Sequence, residues 1–474
     1  MFTQIESANA VDYYFSMTTT NQSSSYWYVY FIISAKGTFY VDCGTNGTLS
    51  RYSGGSATVS GNTITKGNVD VTTFKCQYTS SGSKTIQIGG RATEYNTAGT
   101  TFSVYPVNIT YYNEYLFTKL ASLSGNLSTI FPYLGSGSGQ RPRFFKTFYQ
   151  CANLLSIPDT LFSGYTTGAE SLFNYTFAYS GLTSIPENLF RNITTSAPYL
   201  FRGTLEGCTG LTSIPENLFN FGGNNVAGQE GMWQEIFAGC TGLTSIPANL
   251  FQRVTSGAKS LFYFAFNGCT GLTSIPENLF RNITTSAEYM FLQAFEGCTG
   301  LTSIPENLFN FGGNNVSGQQ NMFQSTFAGC TGLTSIPANL FQRVTTGAGG
   351  VFGMTFSGCT NIRGYIPPST FAGLIANSSP TANYMWQYTF KNTQLVTECP
   401  TGTHQYFTGY EGEDTSTYTK WNGYVSCEPG IKLTWDGSSG TPAVCTLGGT
   451  FVPPTPAARP GYRFTGWKVK TISQ

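Results

Sequence analysis

Apolar residues between positions 113 and 402 return in a fixed order every 28–32 residues. The proline of each Ser-Ile-Pro tripeptide marks a repeat, at Pro158, Pro186, Pro215, Pro247, Pro276, Pro305 and Pro337. Two degenerate repeats follow, marked by Pro367 and Pro400. A block of three repeats, 90 residues long, is duplicated almost unchanged, so that GCTGLTSIPENLF stands at 207–219 and again at 297–309. Such repetition indicates one structural unit used many times.

The pattern within one repeat predicts a short helix followed by a brief strand. In residues 285–298 the apolar side chains fall at i, i+3, i+4, i+7 and i+8, which is one face of a helix. These positions are Ala287, Met290, Phe291, Ala294 and Phe295. Thr285 with Glu288, and Thr167 with Glu170, have the spacing of a capping box at a helix start. Gly-Cys-Thr-Gly ends the predicted helix, and Leu-Thr-Ser-Ile before proline predicts the strand.

A unit of this kind cannot bury its apolar face alone, so the repeats are expected to stack on one another. The predicted fold class is an α/β solenoid, leucine-rich-repeat-like, with about ten units over residues 113–402. Residues 113–143 are its predicted degenerate cap, because 115–134 align without a gap on 289–308. With strands about 4.8 Å apart, ten units would form a rod on the order of 45–50 Å long.

The repeats carry a family resemblance. The pattern Met-Phe-x-x-x-Phe-x-x-Cys-x-x-Leu-x-x-Ile-Pro resembles that of BspA-like leucine-rich-repeat surface proteins over roughly residues 113–402. The resemblance implies a surface molecule, bacterial or from some protists, of the kind implicated in adhesion to host proteins or other cells. The repeat length of 28–32 residues departs from the more compact repeat of much of that family. This departure bears on curvature rather than on architecture.

The segments that flank the repeats are predicted to be β-structure. Residues 1–112 alternate apolar and polar side chains between clusters of Gly, Ser and Asn, which predicts a β-sandwich-like domain. YVDCGTNGT and YTSSGSKTIQI weakly resemble PKD-like sandwiches, from which Cys43 and Asn46 depart. Residues 403–428 are a predicted connector. In 429–474 the core P-x-x-RPGYRFTGW resembles an internalin-type B-repeat, which implies a small β-grasp-like module that we expect to be incomplete.

Composition restricts the function. Formal net charge is +1, from 24 Lys and Arg against 23 Asp and Glu, so no basic field is present to attract nucleic acid or an anionic membrane. Charged residues make up 10% of the chain, against about 25% in an ordinary soluble domain, as on a neutral extracellular surface. No apolar run approaches the roughly 18 residues of a membrane span. No secretory signal is visible, so either a signal was removed or export follows another route.

Seven of the 12 cysteines occupy one position of the repeat, at a spacing that matches no metal-binding motif. They are Cys151, Cys208, Cys240, Cys269, Cys298, Cys330 and Cys359. The favoured interpretation is a column of small buried thiols, and the alternative is a ladder of disulfides or reactive thiols. The other five are able to pair in an oxidising compartment. These are Cys43, Cys76, Cys399, Cys427 and Cys445.

The residue patterns favour neither catalysis nor a cofactor or metal. The one histidine, His404, lies in a polar loop without the partners that a metal site or a nucleophilic triad requires. The glutamates that recur just after the Ser-Ile-Pro proline are interpreted as a solvated edge, because glycosidase carboxylates need two distinct environments. The acidic stretch 410–418 lacks the ligand order of a calcium loop. The recurring phenylalanines are interpreted as core and not as a sugar platform.

Two functions from different classes fit these observations. The first is a non-enzymatic extracellular surface protein, adhesin-like, that binds host or neighbouring-cell proteins or glycans through the repeat surface. The second is a structural spacer or fibre subunit of a surface appendage, with self-association. Nucleic acid, membrane insertion and cofactors are not expected. The predicted binding residues are Ser213, Ser245, Ser274, Ser303, Ser335, Glu216, Glu277 and Glu306.

Overall fold

The computed structural model describes residues 11–23, 26–97, 100–103, 120–137, 139–364, 366–376, 384–395, 430–433 and 443–446. His404, the acidic stretch 410–418 and the connector 403–428 lie outside the described residues, as do Cys399 and Cys427. In the predicted B-repeat-like module at 429–474, the described part is one antiparallel pair, Gly430–Leu433 with Ala443–Thr446.

The described N-terminal residues form two antiparallel β-sheets. The strands are β1 (Tyr13–Thr19), β2 (Trp27–Ile33), β3 (Ala35–Asp42), β4 (Gly47–Ser53), β5 (Thr58–Ser60), β6 (Thr63–Lys66), β7 (Thr72–Tyr78), β8 (Thr85–Tyr95), β9 (Phe102–Ser103) and β10 (Leu120–Gly125). One sheet has the order β10-β1-β8-β3-β6-β5 and the other β4-β7-β2-β9. The antiparallel β-structure predicted before the repeats is therefore present. It also includes β10, which comes from the segment predicted as the cap of the repeats.

Alternating burial along the strands explains how the two sheets meet. In β3 every second side chain is buried, including Phe39, because successive side chains of a strand point to opposite faces. Phe31 of β2 and Phe74 of β7 stack at 5.7 Å in the other sheet. Phe15 of the first sheet contacts Phe102 of the second edge to face at 6.0 Å. The sheets therefore share one apolar core.

A disulfide between Cys43 and Cys76 ties the end of β3 in one sheet to β7 in the other. Both cysteines are buried, their Cα atoms are 5.6 Å apart, and they are separated by 33 residues of sequence. One of the pairings left open by the cysteine count is thereby decided.

The predicted α/β leucine-rich-repeat-like solenoid is wrong. The described residues contain two short α-helices, α1 (Leu127–Ile130) and α2 (Ala372–Ala376), and neither lies in the segment before a repeat cysteine, where the helices were expected. The large sheets are the antiparallel ones described above. Within the repeats the described strands form only short parallel pairs: β11 (Val316–Ser317) with β12 (Val344–Thr346), and β13 (Arg363–Gly364) with β14 (Gln394–Leu395). Short 3-10 turns stand at Phe221–Gly223, Phe311–Gly313 and Pro368–Phe371.

The segments predicted as helices are series of four-residue turns. Tyr289, Gln293 and Gly297 have φ of 57°, 56° and 71°, so every fourth residue is left-handed. Buried side chains come in adjacent pairs separated by two outward-facing residues. Over nine residues a period of four and the helical period of 3.6 place apolar residues at the same positions, which is why the pattern predicted a helix. The two predicted capping boxes accordingly precede turns and not helices.

Successive backbone N–H groups along these turns alternate between a bond to the next repeat and a bond within their own turn. The N–H of Phe291 donates to the carbonyl of Met322 in the next repeat at 2.9 Å. The N–H groups of Tyr289 and Gln293 likewise donate to backbone carbonyls of the next repeat. The intervening N–H groups close the turns, as from Ala294 to the carbonyl of Phe291 at 3.1 Å. Each repeat therefore bonds to the next through a row of turns, and the backbone is satisfied without a helix or an extended sheet.

Aromatic side chains fill the interior of the repeats in columns. Phe262 stacks on Phe291 of the next repeat with ring centres 5.6 Å apart, and Phe266 stacks on Phe295 at 5.4 Å. A further column runs through Phe280. These rings are buried, so the prediction that the recurring phenylalanines are core is confirmed.

The two copies of the 90-residue block have the same local geometry. Gly222 and Gly312 both have φ of 62°, with ψ of 19° and 20°. The parallel bridge at Val226 in the first copy returns at Val316 in the second. The prediction that duplicated sequence gives duplicated structure is confirmed at these positions.

Candidate binding surfaces

The predicted binding residues lie on one exposed surface of the repeats, which we call the Thr–Ser face. Each Leu-Thr-Ser-Ile segment buries its Leu and Ile and exposes its Thr and Ser. All the predicted residues are exposed: Ser213, Ser245, Ser274, Ser303, Ser335, Glu216, Glu277 and Glu306. The Thr-Ser pair itself is constant, at 183–184, 212–213, 244–245, 273–274, 302–303 and 334–335.

Much of the polar chemistry of the Thr–Ser face joins one repeat to the next. The Thr273 hydroxyl donates to the Thr244 carbonyl at 3.4 Å, a bond that recurs along the column of threonines. At the rim, the Asn249 amide donates to the Glu216 carboxylate at 2.8 Å, and Glu277 accepts in the same way. Stacking therefore explains why the threonines of this face are constant.

A second surface, which contains none of the predicted binding residues, lies over the four-residue turns, and we call it the turn face. It consists of the outward residues of 145–150, 174–179, 202–207, 234–239, 263–268, 292–297, 324–329, 353–358 and 387–392. Each segment contains two left-handed residues, at its second and its sixth position. We call the second position central and the sixth position last. In 292–297, for example, Gln293 is central and Gly297 is last.

The two left-handed positions are occupied differently. The last position is glycine in six of the nine segments, as a left-handed backbone favours. The central positions are Lys146, Tyr175, Gly203, Glu235, Phe264, Gln293, Ser325, Met354 and Tyr388. A side chain in this conformation costs roughly 1–2 kcal/mol. Eight of the nine segments accept that cost with varied side chains, which indicates that the side chains themselves are useful.

The two copies of the block differ only in the segments that build or lead into the turns. Between 184–270 and 274–360, every substitution falls within 198–205, 227–236 or 256–267. Four charged residues of the first copy are neutral in the second, where Leu292, Gln320, Ser325 and Gly349 correspond to Arg202, Glu230, Glu235 and Lys259. The Thr–Ser face and the cysteines are unchanged. Comparing the copies with each other is the sequence signal that would have located the turn face.

Near the start of the first copy the turn face carries a group of aromatic and charged side chains, which we call the tyrosine cluster. It consists of Tyr149, Tyr175, Tyr179, Tyr199, Lys146, Arg202, Glu206 and Glu235. The Tyr179 hydroxyl donates to Glu206 at 2.5 Å, and the Tyr175 hydroxyl donates to Glu235. Arg202 forms an ion pair with Glu235 at 3.6 Å. Side chains from three consecutive repeats are thereby linked.

Three rings of the cluster lie on glycines of the next repeat. The pairs are Tyr175 on Gly203, Tyr179 on Gly207 and Tyr199 on Gly231. A Cβ at Gly203 would lie 2.3 Å from a ring carbon of Tyr175, which no real contact permits. These glycines therefore provide space for the rings as well as the left-handed φ. In the second copy Gln293 and Asn321 stand in place of Gly203 and Gly231.

Two cations cover the faces of these rings. The Lys146 ammonium lies 4.6 Å from the ring centre of Tyr149 and 5.9 Å from that of Tyr175. The Arg202 guanidinium lies 5.5 Å from the ring of Tyr175 and 5.9 Å from that of Tyr199. Both contacts are cation–π interactions, which hold the long basic side chains over the rings.

Burial and hydrogen bonding shift the titration of the cluster. Burial raises the pKa of Glu206, although the hydrogen bond from Tyr179 acts in the opposite direction. The same bond is the largest cause that raises the pKa of Tyr179, and burial raises that of Tyr175. Both tyrosines therefore remain hydrogen-bond donors at neutral pH.

The seven repeat cysteines form a buried column of free thiols. Burial raises the pKa of Cys208 to about 11 and that of Cys298 to about 12. The Cys298 thiol donates to the carbonyl of Phe266 in the preceding repeat at 3.2 Å. The buried-thiol interpretation is confirmed, and the thiolate that a reactive ladder requires is suppressed.

Within the part of the chain that the structure describes, no group of three or more His, Cys, Asp or Glu is placed to hold a metal ion. Among the helices of that same part, none has the length and apolar character needed to cross a membrane. No protein-family model matches the chain, and no curated protein or solved structure matches it. The family resemblances noted in the sequence therefore stay predictions.

Proposed function

We propose that this chain is a non-enzymatic extracellular surface protein, adhesin-like, that binds host or neighbouring-cell proteins or glycans through its repeats. The observation that carries the proposal is the contrast between its two faces. The threonines of the Thr–Ser face are constant, and stacking explains their constancy. The central positions of the turn face vary from repeat to repeat, and stacking does not require that variety. A variable surface on a constant scaffold is what recognition needs.

Two further observations support an extracellular location. The Cys43–Cys76 disulfide is of the kind that persists in oxidising compartments. Charged residues make up only 10% of the chain, as on a neutral, hydroxyl-rich outer surface. The free repeat cysteines are compatible with such a compartment, because each of them is buried.

The second candidate function is a structural spacer or fibre subunit. The hydrogen bonds that run without interruption from repeat to repeat favour it, since they make a continuous stack of the described repeats. Under this alternative the variation of the turn face has no consequence for binding.

An array of purified host proteins and glycans, probed with the folded full chain, tests the proposal. Saturable signal that unlabelled chain competes away is the expected result. A urea-unfolded sample is the control, because it separates recognition by a folded surface from nonspecific adsorption. If the folded chain gives no saturable signal on any spot, and polymerises at micromolar concentration, the spacer function is the better description.

A further inference from the structure

We infer that the tyrosine cluster is the docking site for a folded protein, and that the corresponding region of the second copy is not. The inference rests on the proposed function, to which it adds the place of binding and the class of partner. It starts from a contrast between two copies that share one backbone geometry. Arg202 and Glu235, the ion pair of the cluster, are Leu292 and Ser325 in the second copy, whereas Tyr199 and Glu206 are retained there. The other four members of the cluster precede the duplicated block.

The faces of the Tyr175 ring are already covered, which argues against a sugar stacked on it. Sugars stack on open aromatic faces, whereas Tyr175 has Gly203 of the next repeat against its ring and two cations within 5.9 Å of its centre. Tyr149 and Tyr179 meet edge to face, with an interplanar angle of 73°. The cluster therefore presents ring edges together with ammonium and guanidinium groups. Tyrosine and arginine in this arrangement are typical of the residues that dominate the energy of protein–protein interfaces.

The charges of the cluster balance within it. Lys146 and Arg202 stand beside the carboxylates Glu206 and Glu235, and the ion pair and hydrogen bonds connect them. A partner therefore meets a surface without net charge. Because screening acts on unbalanced charge, we expect the affinity to change by less than about threefold between low and high salt.

The cluster is also held in place before any partner arrives. Tyr179 is fixed by its bond to Glu206 and by its seat on Gly207, yet 45% of its surface is exposed. Ordering a side chain on binding weakens affinity, so a side chain that is already ordered contributes more of its contact energy to the complex. The exposed ring of Tyr179 is accordingly the contact that we expect to matter most.

The chain itself supplies mild substitutions for a test. Tyr179→Gly places at the last position the residue that six other segments use there, and Arg202→Leu introduces the residue of the second copy. The probe is the array protein with the strongest saturable signal, measured by biolayer interferometry against the full chain and each variant at two salt concentrations. We expect the double variant to bind about tenfold more weakly or worse. Tyr179→Phe keeps the ring and loses only the bond to Glu206, and should bind about fivefold more weakly.

A matched control removes a side chain elsewhere on the same scaffold. Met354→Gly deletes a left-handed side chain from the turn face of the second copy, and this variant should bind within about twofold of the parent. Circular dichroism establishes that each variant is folded. Unchanged affinity of the folded Tyr179 and Arg202 variants overturns this site while the proposed function stands. Signal on glycan spots alone overturns the protein class of the partner, and an array without any signal overturns both proposals.

Discussion

Replacing Phe262 by alanine removes a ring from the centre of the aromatic columns. The side chain is fully buried, and it contacts the rings of Trp233, Phe251, Phe280 and Phe291 at 4.8–5.6 Å. A buried Phe→Ala change costs about 3–5 kcal/mol, depending on how far the surroundings collapse. Here the neighbouring rings belong to repeats that are tied to each other by rows of backbone hydrogen bonds, which resist collapse. We therefore expect a loss of about 4–5 kcal/mol in the free energy of unfolding.

Urea unfolding followed by tryptophan fluorescence measures this loss, and the stacked pair of Phe262 and Trp233 places a reporter at the altered site. The matched control is Phe264→Ala, two residues along the chain, where the ring is half-buried on the turn face. This variant should lose less than about 1 kcal/mol, because most of its ring is not part of the columns. Equal losses at the two positions, or a loss below about 1 kcal/mol at Phe262, would refute the assignment of the core to these columns.

The disulfide, the cysteine column, the duplicated block and Glu206 can each be tested. The double variant Cys43→Ala, Cys76→Ala should lose about 3–4 kcal/mol of stability, because the disulfide closes a loop with a separation of 33 residues; an unchanged urea midpoint would contradict this. Ellman's reagent should label the seven repeat cysteines slowly in the native protein and rapidly after denaturation, since burial raises their pKa values and hides them; fast native labelling of most of them would be the opposite result. Deletion of residues 186–275 should leave a shorter folded protein, because equivalent positions of the two copies meet at the junction; loss of the near-UV circular dichroism signal would show otherwise. Burial raises the pKa of Glu206 in the folded protein, so its ionised carboxylate lowers the free energy of unfolding at neutral pH. This loss of stability shrinks as pH falls through the raised pKa, and it is gone below the ordinary pKa of the unfolded chain. Glu206→Gln should therefore melt at a higher temperature than the parent at neutral pH and lose that advantage below about pH 4, and a constant difference at all pH values would argue against the cause given.

The arrangement of the tyrosine cluster could be predicted only in part. The residues that differ between the two copies are visible in the sequence, so the turn segments could have been marked as the variable ones. The contact between Tyr175 and Glu235 could not be anticipated, because 60 residues separate them and a helix would have turned their side chains differently. The predicted binding serines lie on an exposed face, since a short segment that buries Leu and Ile must expose what stands between them.

The sequence by itself determined the repeat, its register, the duplicated block and the identity of the buried residues, including Phe262 and Cys298. These follow from which side chains avoid water, and that preference is a property of each residue type. Only the tertiary structure decided between helix and four-residue turns, because both bury the same positions over so short a segment. The choice depends on where the backbone N–H groups find acceptors, and for Phe291 the acceptor is the carbonyl of Met322 in the next repeat. The same dependence on distant partners assigned β10 to the N-terminal sheet and joined Cys43 to Cys76, since neither pairing is encoded in the local pattern of either partner.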